Sequence, residues 1–131
     1  MKTLIVEDDK TSHLLLKEIL KPFGPSQSAG NGREAVEALR AALESGEPFD
    51  LVCLDIMMPE MDGQQALQEI RALEEAQGVL GSSGAKIIMT TALDDPKNVV
   101  AAFSGLADAY LVKPIDKARL LEELRKLKLT E

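Results

Sequence analysis

The sequence predicts an α/β domain with a doubly wound parallel sheet of five strands and helices on both faces. Three observations favour this fold class: short apolar runs recur along the chain, segments of helical periodicity separate them, and no repeat or linker interrupts the series. Apolar strands that alternate with helices are typical of parallel sheets, because the helices cover both faces. Right-handed crossovers favour the doubly wound arrangement. At 131 residues the chain is predicted to form a single domain, residues 1–131.

The chain begins with a short strand, Thr3–Val6, rich in β-forming residues. A helix is predicted to follow, capped by Thr11 or Ser12 and ending before Pro22. Three apolar residues are expected on its inward face: Leu14, Leu15 and Ile19. The next strand, Pro25–Ala29, is weak, because serine and glutamine have low strand propensity.

The remaining elements continue the alternation. Three apolar runs are predicted as strands: Leu51–Leu54, Lys86–Thr90 and Ala109–Val112. Four segments with helical spacing are predicted as helices: Glu34–Leu43, Gln64–Glu75, Asn98–Phe103 and Ala118–Leu129. The Asn31-Gly32 pair is a turn signal before the first of these helices.

Composition excludes several functional classes. The chain is 45% hydrophobic and 28% charged, as expected of a soluble globular protein, and no apolar run reaches the roughly 18 residues of a membrane span. Its single cysteine, Cys53, excludes an internal disulfide and a cysteine-based metal site. A net charge of −7 argues against direct nucleic-acid binding. These features predict a cytoplasmic protein with no membrane or nucleic-acid partner.

Polar residues follow four of the predicted strands at the point where each strand ends. They are Glu7, Asp8 and Asp9 after the first strand, Asp55 after the third, Thr90 and Thr91 at the end of the fourth, and Lys113 after the fifth. In doubly wound sheets, sites form outside the carboxyl ends of the strands. Each residue alone has an ordinary structural explanation as a cap or a solvated side chain, but their recurrence at successive strand ends predicts a site.

Phosphoryl transfer to a carboxylate is the chemistry that suits this set. Clustered acids bind Mg²⁺, which prefers oxygen ligands. An aspartate can act as the nucleophile and become an acyl phosphate. The phosphoryl oxygens then need a metal ion, an ammonium or a hydroxyl to neutralise their charge. Asp55 is a single carboxylate at the end of an apolar strand, where a charge is costly unless it lies in solvent or has a site built around it.

Four segments resemble the response-regulator receiver domains (CheY-like) of two-component signalling. They are Leu4-Ile-Val-Glu-Asp-Asp9, Asp50-Leu-Val-Cys-Leu-Asp-Ile-Met-Met-Pro-Glu-Met-Asp-Gly63, Ile87-Ile-Met-Thr-Thr-Ala92 and Ala109-Tyr-Leu-Val-Lys-Pro114. The segments span the chain and in combination are highly specific. The resemblance implies a flavodoxin-like sheet with strand order 2-1-3-4-5.

The resemblance also implies a role for each site residue. Asp55 accepts the phosphoryl group, and Thr91 and Lys113 contact it. Mg²⁺ is held directly by Asp8 and Asp55, through water by Glu7, and by the main-chain carbonyl of Met57. The chemistry alone does not separate Thr90 from Thr91; the family's Thr-Ala pair selects Thr91. The switch residues are Thr91 and Tyr110, and the Lys113–Pro114 bond is expected to be cis.

By the same resemblance, the protein catalyses its own phosphorylation and dephosphorylation at Asp55 but acts as a signalling switch. The phosphoryl donor is a phosphohistidine on a sensor histidine kinase or a histidine phosphotransfer protein. Phosphorylation is expected to reshape the surface of the fourth helix (Asn98–Phe103), the fifth strand and the fifth helix. That surface would bind a downstream output protein near Val99, Val100 and Phe103, and phosphorylation-dependent homodimerisation through it is a further option.

Three other functions fit the sequence less well. A phosphatase of the haloacid-dehalogenase type needs a second acid two residues after its nucleophile, where this chain has Met57. A flavodoxin-like cofactor binder needs a phosphate loop after the first strand, where acids would repel phosphate. A degenerate receiver used only for docking would lack a site residue, and none is missing.

Overall fold

A computed structural model of the protein describes residues 1–55, 63–79, 84–91 and 107–130. The strands are β1 (Thr3–Val6), β2 (Ser26–Ala29), β3 (Leu51–Asp55), β4 (Lys86–Thr91) and β5 (Ala109–Val112). The helices are α1 (Lys10–Leu20), α2 (Gly32–Ser45), α3 (Gly63–Ala76) and the C-terminal helix Lys117–Lys126. A short 3-10 helix, Lys21–Phe23, follows α1. Each element predicted within these ranges is present, with ends shifted by a few residues.

The five strands form one parallel sheet in the order β2-β1-β3-β4-β5, which confirms the predicted topology. Thr3 of β1 pairs with Ser26 on one side and with Leu51 on the other. The order therefore reverses between β1 and β3, and a doubly wound sheet binds ligands outside the carboxyl ends of its strands at such a point. Glu7 and Asp55 lie at these two ends.

Alternating side chains of the sheet supply two hydrophobic cores, one on each face. Leu4 and Leu54 belong to the core that includes Leu39 of α2 and Leu67 of α3. On the other face, buried residues of the sheet pack with those of α1 and the C-terminal helix: Ile5, Cys53, Leu16, Ile19, Leu120 and Leu124. Helices thus cover both faces, as predicted. Cys53 is 1% exposed and is a buried apolar residue in this core.

Helix α1 begins at Lys10, earlier than predicted, because its N-cap is Asp9. The Asp9 carboxylate accepts hydrogen bonds from the backbone N–H of Ser12 at 3.3 Å and from the Ser12 hydroxyl at 2.7 Å. These bonds satisfy donors of the first turn that have no partner within the helix. The prediction of Thr11 or Ser12 as the cap is therefore wrong. Asp9 itself is exposed.

The predicted inward face of α1 is also only partly correct. Leu14 is 60% exposed and Leu15 is 37% exposed, whereas Leu16, Ile19 and the following Leu20 are buried. A run of three leucines fits more than one helical stripe. Leu16, Ile19 and Leu20 have the spacing i, i+3, i+4 and form the stripe that faces the core. The two earlier leucines therefore lie on the outer side of the helix.

The C-terminal helix ends at Lys126, not at Leu129 as predicted. Lys128 has a left-handed φ of 61°, and the backbone N–H of Leu129 donates to the carbonyl of Leu124 at 2.9 Å. Leu127 and Leu129 still pack against the core as half-buried residues. The turn keeps both leucines on the inward side, so their apolar spacing resembles a continued helix.

At the edge of the sheet where β4 and β5 begin, Arg71 of α3 joins three segments. Its guanidinium pairs with Glu74 at 2.7 Å and with Asp108 at 2.9 Å, and it donates to the carbonyl of Ala85 at 2.8 Å. Glu74 is buried and accepts from the backbone N–H of Ala85 at 2.7 Å. Asp108 accepts from the backbone N–H of Ile87 at 2.8 Å. This Arg71 cluster fixes the starts of both strands to α3.

Several predictions fall outside the described residues: the Met57 carbonyl, the helix Asn98–Phe103, and the surface around Val99, Val100 and Phe103. Among the helices within the described ranges, none combines the length and apolar character needed to cross a membrane.

Candidate functional site

The alternation of β-strand side chains brings three polar residues to one face of the sheet. Glu7, Asp55 and Thr90 each follow a buried residue of the α1-side core by two positions, so all three lie on that face. Asp55 pairs with Thr90 across β3 and β4. Glu7 comes directly after Val6, which pairs with Leu54, so Glu7 lies beside Asp55. The site is therefore a row of side chains across β1, β3 and β4.

The carboxylates of Glu7, Asp8 and Asp55 form a cluster in which one oxygen from each lies within 4.8 Å of the others. Glu7 and Asp55 are both 4% exposed, whereas Asp8 is exposed. A groove of about 180 Å³ lies against this cluster, and its lining includes Lys10 and His13 of α1. Glu7 and Asp8 also line this groove, so it borders one buried and one exposed acid of the cluster.

The ammonium of Lys113 neutralises part of the cluster's charge. Its Nζ lies 2.5 Å from Oε1 of Glu7 and 3.2 Å from Oδ2 of Asp55. Burial acts to lower the pKa of Lys113, but its hydrogen bonds and the charges of Glu7 and Asp55 raise the pKa overall. The ammonium is thus the counter-ion of both acids, and the Lys113–Pro114 bond that follows it is cis, as predicted.

Glu7 has an unusual environment for a carboxyl group. Burial raises its pKa from the ordinary value of 4.5 to about 7, against the lowering effect of the hydrogen bond from Lys113, and the nearby charge of Asp55 adds to the rise. The Thr90 hydroxyl lies 3.5 Å from Oε2 of Glu7, and the backbone N–H of Asp9 lies 3.4 Å from Oε1. Glu7 therefore has partners from three parts of the chain.

Thr91 and Tyr110 belong to β4 and β5, on the face of the sheet opposite to this row. Thr91 is the last residue of β4 and is 1% exposed. Its carbonyl accepts from the backbone N–H of Lys113 at 2.7 Å, which links the ends of β4 and β5. Tyr110 of β5 pairs with Met89 and packs, half-buried, against the core on the α2 side. Contact of Thr91 with a phosphoryl group and rotation of Tyr110 remain predictions.

The structure thus brings together Glu7, Asp8, Asp55 and Lys113, as the sequence predicted. His13 is half-buried and its Nε2 lies 2.9 Å from the Ser28 hydroxyl, in keeping with a structural histidine. Sequence reasoning missed the contact between Thr90 and Glu7. Period-two alternation could have revealed it, because it places these two residues on the same face.

The acid cluster fits a hard divalent cation. It offers oxygen donors of two buried carboxylates and one exposed carboxylate within a short distance, which is the donor set that Mg²⁺ prefers. Lys113 pairs with two of the three acids, Glu7 and Asp55. The residues present are therefore compatible with the Mg²⁺ site that the sequence predicts.

Residues 3–125 match the family model described as the response regulator receiver domain. The chain belongs to this family. The receiver domain is 34% identical over 128 residues to the chemotaxis protein CheY of Thermotoga maritima, and the match covers 96% of each protein. It is thus a receiver domain of two-component signalling, which confirms the resemblance seen in the sequence.

Solved structures of other receivers have the same fold. The Vibrio cholerae chemotaxis protein CheY4 aligns with a TM-score of 0.77 and 26% identity, over 96% of this chain and 97% of that one. The receiver domain of the histidine kinase CKI1 from Arabidopsis thaliana, complexed with Mg²⁺ and BeF₃⁻, aligns with a TM-score of 0.79 and 27% identity. That alignment covers 98% of this chain and 90% of the other.

Proposed function

We propose that this receiver domain accepts a phosphoryl group from a phosphohistidine onto Asp55 in the presence of Mg²⁺. The observation that carries the proposal is the position of Asp55, which ends a fully buried strand yet lies against two further acids and an ammonium. A buried charge of this kind is unfavourable for stability unless its partners are arranged around it. The arrangement suits a nucleophile whose product, an acyl phosphate, carries additional negative charge.

In the proposed reaction, a carboxylate oxygen of Asp55 attacks phosphorus as the bond from phosphorus to the donor imidazole nitrogen breaks. The released imidazole takes a proton from solvent. Lys113 already lies 3.2 Å from Asp55 and would neutralise charge on the phosphoryl oxygens. The Thr91 hydroxyl would donate a hydrogen bond to one of the phosphoryl oxygens. Hydrolysis of the acyl phosphate by water would return the domain to its starting state.

Mg²⁺ would supply positive charge to the phosphoryl oxygens when it is bound. Asp8 and Asp55 would be direct ligands, and Glu7 would act through water. The main-chain carbonyl of Met57 completes the proposed set of protein ligands.

The proposed phosphoryl donor is a sensor histidine kinase or a histidine phosphotransfer protein, and a second proposed partner is a downstream output protein. The receiver domain would meet these partners in the cytoplasm. Phosphorylation would draw the Thr91 hydroxyl towards Asp55 and allow Tyr110 to turn inward, which biases a two-state equilibrium. The changed surface, made by the Asn98–Phe103 segment, β5 and the C-terminal helix, would bind the output protein or a second copy of the chain. In this proposal residues 1–131 act as one signalling domain.

Incubation with acetyl phosphate and Mg²⁺ tests the proposal. Intact-mass analysis should show one added phosphoryl group, and Asp55→Asn should abolish the addition, because an amide is a far weaker nucleophile. Amide chemical-shift mapping of the same samples should show changes that extend from Asp55 to Tyr110.

Asp50→Asn is the matched control, because Asp50 precedes the same strand at its opposite end and is exposed. This variant should be phosphorylated like the unaltered protein. Full phosphorylation of the Asp55→Asn variant would remove Asp55 from its role. Shift changes confined to the Asp55 pocket would refute the switch while leaving phosphorylation in place.

A further inference from the structure

Thr90 occupies a position in the site that its sequence neighbour Thr91 does not share. It is 1% exposed, pairs with Asp55 in the sheet, and lies on the same face as Glu7 and Asp55. Its hydroxyl lies 3.5 Å from Oε2 of Glu7, across the strand that carries Asp55. By strand alternation Thr91 lies on the other face, in line with Met89. The two threonines therefore have different geometric relations to the acid cluster.

The two oxygens of Glu7 have different partners. Oε1 is contacted by the Lys113 ammonium at 2.5 Å and by the backbone N–H of Asp9 at 3.4 Å. Oε2 is contacted by the Thr90 hydroxyl. The Glu7 side chain is fully buried, so its orientation depends on its protein partners, which also include Asp55. In the proposed function Lys113 turns to the phosphoryl group, whereas Thr90 can keep its contact with Oε2.

We propose that Thr90 is a positioning residue that orients Glu7 towards the divalent cation of the acid cluster. This inference rests on the proposed binding of Mg²⁺ by Glu7, Asp8 and Asp55. The Thr90 hydroxyl faces Oε2 of Glu7 at 3.5 Å, a long hydrogen bond, so that the carboxylate is already arranged among the other acids when the cation arrives. Groups that hydrogen-bond to direct metal ligands commonly change metal affinity by about 10- to 100-fold when they are removed. Because Glu7 would act through water, we expect an effect towards the lower end of this range.

Replacement of Thr90 by valine removes the hydroxyl but keeps the branched shape of the buried side chain. Replacement by serine keeps the hydroxyl and removes a methyl group. If orientation of Glu7 is the role of Thr90, the two variants should behave oppositely in Mg²⁺ binding. If Thr90 only fills space, valine should be the better substitute.

Calorimetric titration of the complete chain with Mg²⁺ tests this. Thr90→Val should bind Mg²⁺ about tenfold more weakly, towards the lower end of the range for such partners, whereas Thr90→Ser should bind with nearly unchanged affinity. Thr3→Val is the matched control, because Thr3 is a buried threonine that begins β1 at the opposite edge of the sheet. It should leave Mg²⁺ affinity unchanged. An amide spectrum of each variant establishes whether it is folded. If Thr90→Val does not fold, Thr90→Ala is used in its place.

Equal Mg²⁺ affinity in Thr90→Val and the unaltered protein would overturn the role of Thr90 and leave the proposed function intact. Equal weakening in the valine and serine variants would also overturn it, because it would assign the effect to packing. An unaltered protein that binds no Mg²⁺ would refute the metal part of the proposed function, and the role of Thr90 with it. Weaker Mg²⁺ binding by Thr90→Val, together with nearly unchanged binding by Thr90→Ser, supports the inference.

Discussion

Replacement of Glu7 by glutamine should stabilise the cation-free protein at pH 8 but have little effect on its stability near pH 4.5. The pKa of Glu7 is raised from 4.5 to about 7, chiefly by burial. Between these two values the unfolded chain releases the proton while the folded protein retains it. The stabilising contribution of the neutral group is therefore complete below pH 4.5 and is lost as pH rises through about 7. Glutamine resembles the neutral form and does not titrate.

The difference of about 2.5 pH units between 4.5 and 7 corresponds to at most about 3 kcal/mol at 1.36 kcal/mol per unit. Lys113, whose pKa is raised above 10.5, stays charged throughout this range and contributes no slope of its own.

Urea unfolding of both proteins in a chelator, at several pH values from 4.5 to 8, measures the effect. The difference in the free energy of unfolding between Glu7→Gln and the unaltered protein should grow with pH in favour of the variant and level off above pH 7. Glu34→Gln, at an exposed acid in the first turn of α2, serves as the control. A Glu7→Gln variant that is less stable at every pH would refute the reasoning, because it would mean that Glu7 is ionised and stabilised by Lys113 throughout.

Two further predictions concern the Arg71 cluster. Arg71→Met should lower the free energy of unfolding by about 3 kcal/mol, because it leaves the buried Glu74 carboxylate without its cation. Arg40→Met breaks an exposed pair with Glu37 and should change the free energy of unfolding by under about 1 kcal/mol. Equal effects of the two variants in urea unfolding would contradict this prediction. Gly84→Ala should be destabilising by about 1–3 kcal/mol, because its Cβ would lie 2.6 Å from Oε1 of Glu74, and Arg71 and the backbone N–H of Ala85 restrain that carboxylate from moving away. Gly30→Ala, whose nearest contact would be 3.7 Å, is the comparison in the same thermal or urea unfolding assay, and a similar loss in both would count against the clash.

Local patterns in the sequence determined much of the fold. Apolar runs such as Leu51–Leu54 identify strands because a parallel sheet buries both of its faces. The acids, threonines and lysine at the strand ends identify the candidate site, because parallel strands bring their carboxyl ends to one edge. The presence of β5 and of the C-terminal helix followed from the same alternation.

Helix ends and inward faces were less well determined. The Asp9 cap and the outward positions of Leu14 and Leu15 differ from prediction. Several polar residues near the start of α1 can each act as a cap, and a run of leucines can offer more than one apolar stripe. The residue that becomes the N-cap depends on where the preceding strand ends, and the inward face depends on which side of the helix meets the sheet.

The sequence by itself determined the residue types at the strand ends, and hence the chemistry that the site can support. The tertiary structure decided which of those residues meet: Lys113 lies between Glu7 and Asp55, and the Thr90 hydroxyl contacts Glu7. These contacts join residues far apart in the chain, up to 106 positions for Glu7 and Lys113. Their distances depend on sheet register, side-chain length and burial, and the shared low-dielectric environment that raises the pKa of Glu7 exists only once the strands have paired.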